Sequence, residues 1–265
     1  MELSDKLRAL KDCIAAKGSV LVSYSGGVDS SLLAAISKEV LGRNSVCVFL
    51  DSPVVPRRAR SEAERYARDL GLSLEIVPVY LLENEQFVAN PSTRCYFCKK
   101  VSANVLKEKA RQFEMACIAD GINVSDLGEH RPGLIAGNEE GICHPFLDTG
   151  ITKEDIRAIA NNYGYEFWDK PSAACLSSRI PYGDAITKAD LAMIEQAEDY
   201  LSDKGFSQFR VRKHGGIARI EIVSREFNLL MMIRKEVSLS LKEMGFSYVT
   251  VDLDGYRSGS MDEIL

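Results

Sequence analysis

The sequence predicts an α/β fold: a doubly wound parallel sheet followed by a smaller C-terminal α/β unit. Three observations carry this. The short apolar runs Val20-Leu21-Val22, Val46-Cys47-Val48-Phe49-Leu50 and Leu74 to Val79 have the composition of strands buried on both faces. Amphipathic stretches of helical spacing alternate with them in the order βαβαβ. Beyond Gly183 the pattern changes to helix, hairpin, helix, strand.

Each element has local cause. Leu3, Leu7, Leu10 and Ile14 recur at helical spacing, and Gly18 ends that helix. Strand one leads through Ser23-Tyr24-Ser25-Gly26-Gly27-Val28-Asp29-Ser30-Ser31 into a helix running to Leu41, with Gly42 as its stop. Strand two ends at Asp51, a helix runs from Arg57 to Leu70, and strand three follows. Asn90 to Lys100 is turn-like in its first half and begins a helix in its second that runs to about Phe113, Met115 to Asp120 is a fourth strand, and His144-Pro145-Phe146-Leu147 is expected as a fifth. Thr152-Lys153-Glu154-Asp155 is a capping-type start for the helix Ile156–Tyr163. From Trp168 the periodicity stops, and an irregular stretch with two prolines and Cys175 intervenes. Helix Lys188–Leu201, strands Phe209–Lys213 and Ile217–Val223 around His214-Gly215-Gly216, a helix from Glu226 to Met244 and strand Tyr248–Leu253 complete the chain. The expected division is a nucleotide domain at 1–170, an irregular active-site segment at 171–183 and a C-terminal domain at 184–265.

The loop after strand one is the most informative stretch. Two adjacent glycines let backbone N–H groups point into one concavity, and a helix N-terminus adds positive potential there. Ser30 or Asp29 is expected to cap the helix. The product is a phosphate or pyrophosphate cradle. No Gly-Lys-Ser/Thr follows, so it is not a Walker A loop, and it lacks the GxGxxG spacing. An ordinary strand-to-helix turn is the bland alternative. Asp29 is the nearest carboxylate for Mg²⁺; Asp51 ends strand two, and Asp120, Gly121, Asp126 and Glu129 lie beyond strand four, where open α/β sheets bind ligands.

Composition narrows the class. The chain has 265 residues and a net charge of -5, without a Lys/Arg-rich segment interleaved with aromatics, which argues against a nucleic-acid partner. No apolar run reaches the roughly 20 residues of a membrane span. Seven cysteines, an odd number behind a polar N-terminus, suit a reducing cytoplasm. Cys13, Cys47 and Cys117 read as packing residues. Cys95-x-x-Cys98 reads as a redox pair, half a zinc site or a chance spacing. Cys175 is a third candidate, because three thiolates can hold a [4Fe–4S] cluster and leave one iron open. Cys143-His144 is a weaker fourth.

The loop resembles the SGGxDS loop of the ATP pyrophosphatases (the PP-loop, adenine-nucleotide α-hydrolase-like fold), which split ATP between the α and β phosphates. Nearly the whole chain resembles the LarE family, sulfur transferases that mature the nickel-pincer cofactor of lactate racemase. The likeness rests on Ser25 to Ser31, Ala119-Asp120-Gly121-Ile122-Asn123, Arg131-Pro132-Gly133, Ala174-Cys175-Leu176-Ser177-Ser178-Arg179-Ile180-Pro181-Tyr182-Gly183 and Arg210-Val211-Arg212. It implies ATP and Mg²⁺, with Ser23, Ser25, Gly26, Gly27, Val28, Asp29, Ser30, Asp51 and Gly121 at the nucleotide and Asp126 near the metal. It implies a pyridinium dicarboxylate mononucleotide whose carboxylate is adenylated and converted to a thiocarboxylate. Cys175, Asp29 and Arg179 would be catalytic; Arg210, Arg212, Glu221 and Glu198 would bind substrate. One branch gives up the sulfur of the cysteine matching Cys175 and lacks the CxxC. A second holds a [4Fe–4S] cluster on three cysteines that delivers sulfide. Cys95, Cys98 and Cys175 match the second, a departure from the sacrificial pattern. The family also implies a homo-oligomer and a sulfide or other sulfur donor. A tRNA thiolase, an ammonia-using synthetase and a non-enzymatic iron–sulfur scaffold are the competing readings.

Overall fold

A computed structural model describes residues 2–128, 132–171, 174–257, 259–261 and 263. The chain divides into two units, one of Met1–Leu81 and Thr93–Ala173, the other of Leu82–Ser92 and Ala174–Leu265. A continuous first domain at 1–170 therefore gives way to one interrupted by a short stretch that belongs with the C-terminal unit.

In the first unit, β1 (Val20–Tyr24), β2 (Ser45–Asp51), β3 (Leu74–Pro78) and β4 (Cys117–Ala119) form one parallel sheet in the order β3-β2-β1-β4. The helices are α1 (Leu3–Ala15), α2 (Val28–Leu41) and α3 (Arg57–Asp69) before the interruption. Alternate strand residues serve opposite faces. Val20, Val22, Tyr24, Cys47 and Phe49 join Leu10 of α1, Leu32 of α2 and Ala63 of α3 in one core. Leu21, Val48, Val77 and Ile118 join a second core on the other face. Both faces are covered, which is why the strands read as unbroken apolar runs.

The interrupting stretch contains α4 (Glu85–Val88). The first unit then resumes with α5 (Arg94–Gln112), α6 (Pro132–Glu139), α7 (Pro145–Asp148) and α8 (Lys153–Asn162). Ala103, Leu106 and Ala110 of α5 supply the second core. Ile156 and Ile159 of α8 join the first.

The expected fifth strand is a correction. Only Cys143 makes a strand-like bridge, to Ala119, and residues 145–148 turn into α7. Pro145 lacks an N–H for a ladder, and its fixed φ suits the first turn of a helix. The capping reading at Thr152 holds: its side chain and that of Asp155 form a reciprocal capping box, starting α8 three residues before Ile156.

In the second unit, α9 (Lys188–Asp203) and α10 (Phe227–Glu243) pack on a sheet ordered β5-β6-β7, from Phe209–His214, Ile217–Ile222 and Tyr248–Val251. β5 and β6 are the expected hairpin, with His214 opposite Ile217 and Gly215 at φ 56° in the turn.

Candidate functional site

The chain leaves β1 for β2 on one side and returns to β4 on the other, so a topological switch point lies between β1 and β4. The Gly-rich loop sits there. Gly26 has φ 71°, and a Cβ on it would stand 2.5 Å from Ala63 Cβ, so only glycine fits. Gly27, extended at φ -77° and ψ 163°, is the N-cap of α2, and no side chain caps it. Ser30 and Asp29 are therefore not caps. The Ser30 hydroxyl accepts the Ser25 N–H at 3.1 Å and donates to the Gly27 carbonyl at 3.2 Å, tying the loop to itself. A helix start without a side-chain cap leaves its amides for an anion.

The Asp29 carboxylate accepts from Lys153 Nζ at 2.6 Å on both oxygens. Burial pushes its carboxyl above the ordinary range, with Lys153 opposing. Gly121 abuts this turn: a Cβ there would lie 2.9 Å from Asp29 Cβ and from Ser30 N. β4 thus delivers its next residues directly against the loop. Asp120 is buried, its Oδ1 2.6 Å from His144 Nδ1 and its Oδ2 2.6 Å from Lys99 Nζ. Burial raises the carboxyl, but the His144 hydrogen bond and the Lys99 charge outweigh that and hold it below its usual value. Asp126 accepts from the backbone and side-chain nitrogens of Asn123 at 3.0 and 2.9 Å, a turn-making role. Asp51 is gripped by Arg57 at 2.7 Å and by Arg60. Lys170 Nζ donates to the Gly26 carbonyl at 3.1 Å. Glu129, Arg131 and Ser172 lie outside the described residues.

Cys95 and Cys98 are the second and fifth residues of α5, Cys95 exposed and Cys98 half-buried. Their spacing puts both thiols on one helix face.

In the second unit, Cys175 precedes a short 3-10 turn, Leu176–Arg179, and its Sγ lies 3.0 Å from Ser177 Oγ. Arg179 is buried. Its Nη1 donates to the carbonyls of Ala174 and Cys175 at 2.8 and 2.9 Å, and its Nε and Nη2 clasp Glu198. Its donors are spent on orienting the Cys175 turn. Arg212 is buried and donates to Glu221 at 2.8 Å, Ser260 at 3.0 Å and the Ser178 carbonyl at 3.1 Å. Glu221 is fully buried and also accepts from Arg219 at 2.9 Å. Both Glu198 and Glu221 are thus neutralised by arginines. Arg210 stacks over Tyr256 at 5.1 Å. Burial and the nearby Arg179 charge push it below its ordinary value, so an arriving anion would be stabilised there.

A family model described as NAD synthase matches residues 2–120. The pyridinium-3,5-bisthiocarboxylic acid mononucleotide synthase of Lactiplantibacillus plantarum is 34% identical over 93% of this chain and 90% of its own. The chain belongs to the LarE family. A protein of Synechocystis without assigned function is 37% identical over 99% of both chains. One component of the glutamine-hydrolyzing GMP synthase of Thermoplasma volcanium is 29% identical over 77% of this chain and 70% of its own. As a LarE-family member the chain is an enzyme of the PP-loop ATP pyrophosphatase type, and no described helix is long and apolar enough to cross a membrane.

Among the described residues no three His, Cys, Asp or Glu side chains gather as a metal-holding group. Cys95 and Cys98 belong to the first unit and Cys175 to the second, so neither unit alone holds the set of three. The donor chemistry itself suits iron and sulfide, since all three are thiols. Sequence reasoning missed Lys153, Lys99 and Lys170, because a lysine on an amphipathic helix or in a loop reads as a solvated charge until its carboxylate or carbonyl partner is known. The Lys153 to Asp29 separation, 124 residues along the chain, leaves no local signal.

Proposed function

We propose that this LarE-family enzyme uses ATP to activate a carboxylate of a pyridinium dicarboxylate mononucleotide and replaces the activated oxygen with sulfur, in nickel-pincer cofactor synthesis. The observation that carries this is the chain-long likeness to the Lactiplantibacillus synthase, in a chain whose Gly-rich loop keeps an uncapped helix start.

In this reading a substrate carboxylate oxygen attacks the α-phosphorus, the bond to the β-phosphate oxygen breaks, and pyrophosphate leaves. A sulfur nucleophile then adds to the acyl adenylate, and AMP departs with the bonding pair. The loop amides at Gly26, Gly27 and the start of α2 hold the pyrophosphate half. Lys153 orients Asp29 and favours its ionised form against the effect of burial, where Mg²⁺ would neutralise the phosphates. Arg210, with Arg212 fixed by Glu221, binds the substrate phosphate. Arg179, fixed by Glu198, positions the Cys175 turn. Cys95, Cys98 and Cys175 would ligate a [4Fe–4S] cluster, which when bound supplies an open iron for exogenous sulfide. Self-association through the second unit is supported by Met231, Met232 and Leu239, which α10 leaves exposed.

The test is anaerobic purification with iron and sulfide counts, followed by incubation with ATP, Mg²⁺, sulfide and the mononucleotide. About four irons per chain, lost in Cys95→Ala, Cys98→Ala and Cys175→Ala, is the expected result, with AMP, pyrophosphate and a thiocarboxylate as products. A colourless anaerobic protein would overturn the cluster. Amide formation from ammonia, or AMP release that depends on tRNA, would overturn the substrate.

A further inference from the structure

The turn that follows Cys175 is gripped by a residue from far up the chain. Asn90 is fully buried, with a left-handed φ of 53° that few non-glycine residues adopt. Its Nδ2 donates to the carbonyls of Pro181 at 2.7 Å and Asp184 at 3.0 Å, and lies 3.4 Å from that of Ile180. Its own carbonyl accepts the Gly183 N–H at 2.9 Å, and the Val88 carbonyl accepts the Ile186 N–H at 2.9 Å. Phe87, Ile180 and Ile186 are buried. These contacts explain why Leu82–Ser92 belongs with the C-terminal unit.

The chemistry singles out asparagine. An irregular turn has no ladder to satisfy its carbonyls, and buried carbonyls need donors. Asparagine combines two amide donors with tolerance of the left-handed region. Aspartate would keep the shape but aim a carboxylate at three carbonyl oxygens. Glycine would keep the backbone and lose the donors.

We propose that Asn90 is a positioning residue for Cys175. Arg179 and Glu198 fix the near end of the Leu176–Arg179 turn, and Asn90 fixes its exit through Ile180 to Asp184, so the thiol is held from both sides. The functional meaning rests on the sulfur-site reading of Cys175; the placement of the thiol does not.

The test uses the full chain after dialysis against an iron chelator, without ATP or substrate. Wild type, Asn90→Gly and Asn90→Asp are pulsed with iodoacetamide, and each cysteine is followed by mass spectrometry. The expected result is labelling of Cys175 about tenfold faster in both variants, from lost hydrogen bonds and local opening, with Cys13 and Cys47 unchanged. Sulfur transfer should fall in the same variants. An unchanged Cys175 rate, or equal acceleration at every cysteine, would overturn the proposal. Should both variants fail to fold, hydrogen exchange of the wild type decides: the Gly183 and Ile186 amides should be protected like Val211 in β5, and loop-like exchange would sink the idea. Sulfur transfer persisting in Cys175→Ala would remove the functional reading while leaving the labelling result intact.

Discussion

Arg179 and Glu198 form a two-pronged ion pair, Nε to Oε1 and Nη2 to Oε2 both at 2.9 Å, inside the second unit. The same Glu198 oxygen, Oε1, accepts the Val211 N–H at 3.0 Å, so one carboxylate ties the Cys175 turn to strand β5. Removing Glu198 leaves a buried guanidinium without its counter-charge. Glu198→Ala should cost about 3 kcal/mol of stability, read as a lower urea midpoint at unchanged slope.

At the Gly-rich loop, Gly26→Ala faces both strain at φ 71° and a clash with Ala63. ATP affinity measured by titration calorimetry should fall by about tenfold or more, since strain in such positions costs roughly 1–3 kcal/mol. Ala63→Gly should not restore it, because Ala63 Cα would itself lie 2.8 Å from the added methyl.

Asp120 sets an acid limit on the first unit. Its folded carboxyl lies below the ordinary value because His144 and Lys99 outweigh burial. The stabilisation is therefore fully present above the unfolded value of about 3.9 and is lost as pH falls through the lower folded value. Urea unfolding of wild type should weaken below about pH 4, and Asp120→Asn should be less stable at neutral pH with a flatter decline. Parallel profiles for the two proteins would contradict this.

The thiols should separate by environment. Burial pushes Cys47 up to about 12. Burial, then the hydrogen bond with Cys143, takes Cys117 to about 12. Little thiolate exists at either near pH 8. A short iodoacetamide pulse at that pH should label exposed Cys95 well before Cys117 or Cys47, as mapped by mass spectrometry on metal-depleted protein.

Local sequence determined much of this molecule. The doubly covered strands, the two-glycine loop and the Thr152 capping box are written in short-range composition, because burial on two faces, positive φ and end-capping each demand particular residue types at fixed spacing. The β5–β6 hairpin and the CxxC at a helix start are equally local. Tertiary structure decided what depends on partners distant in the chain. Pro145 turned an expected strand into a helix, so that beyond its pairing with β1 the strand β4 gains a single bridge to Cys143. Asn90, an ordinary turn residue in sequence, became the buried clasp of a segment about ninety residues away. Even the Gly-rich loop changed in detail: α2 starts at Val28 with Gly27 as its N-cap, so Asp29 and Ser30, expected to cap it, fall inside its first turn and engage Lys153, Ser25 and Gly27 instead. Such contacts are set by where the sheet brings its strand ends together, and no run of neighbouring residues encodes that.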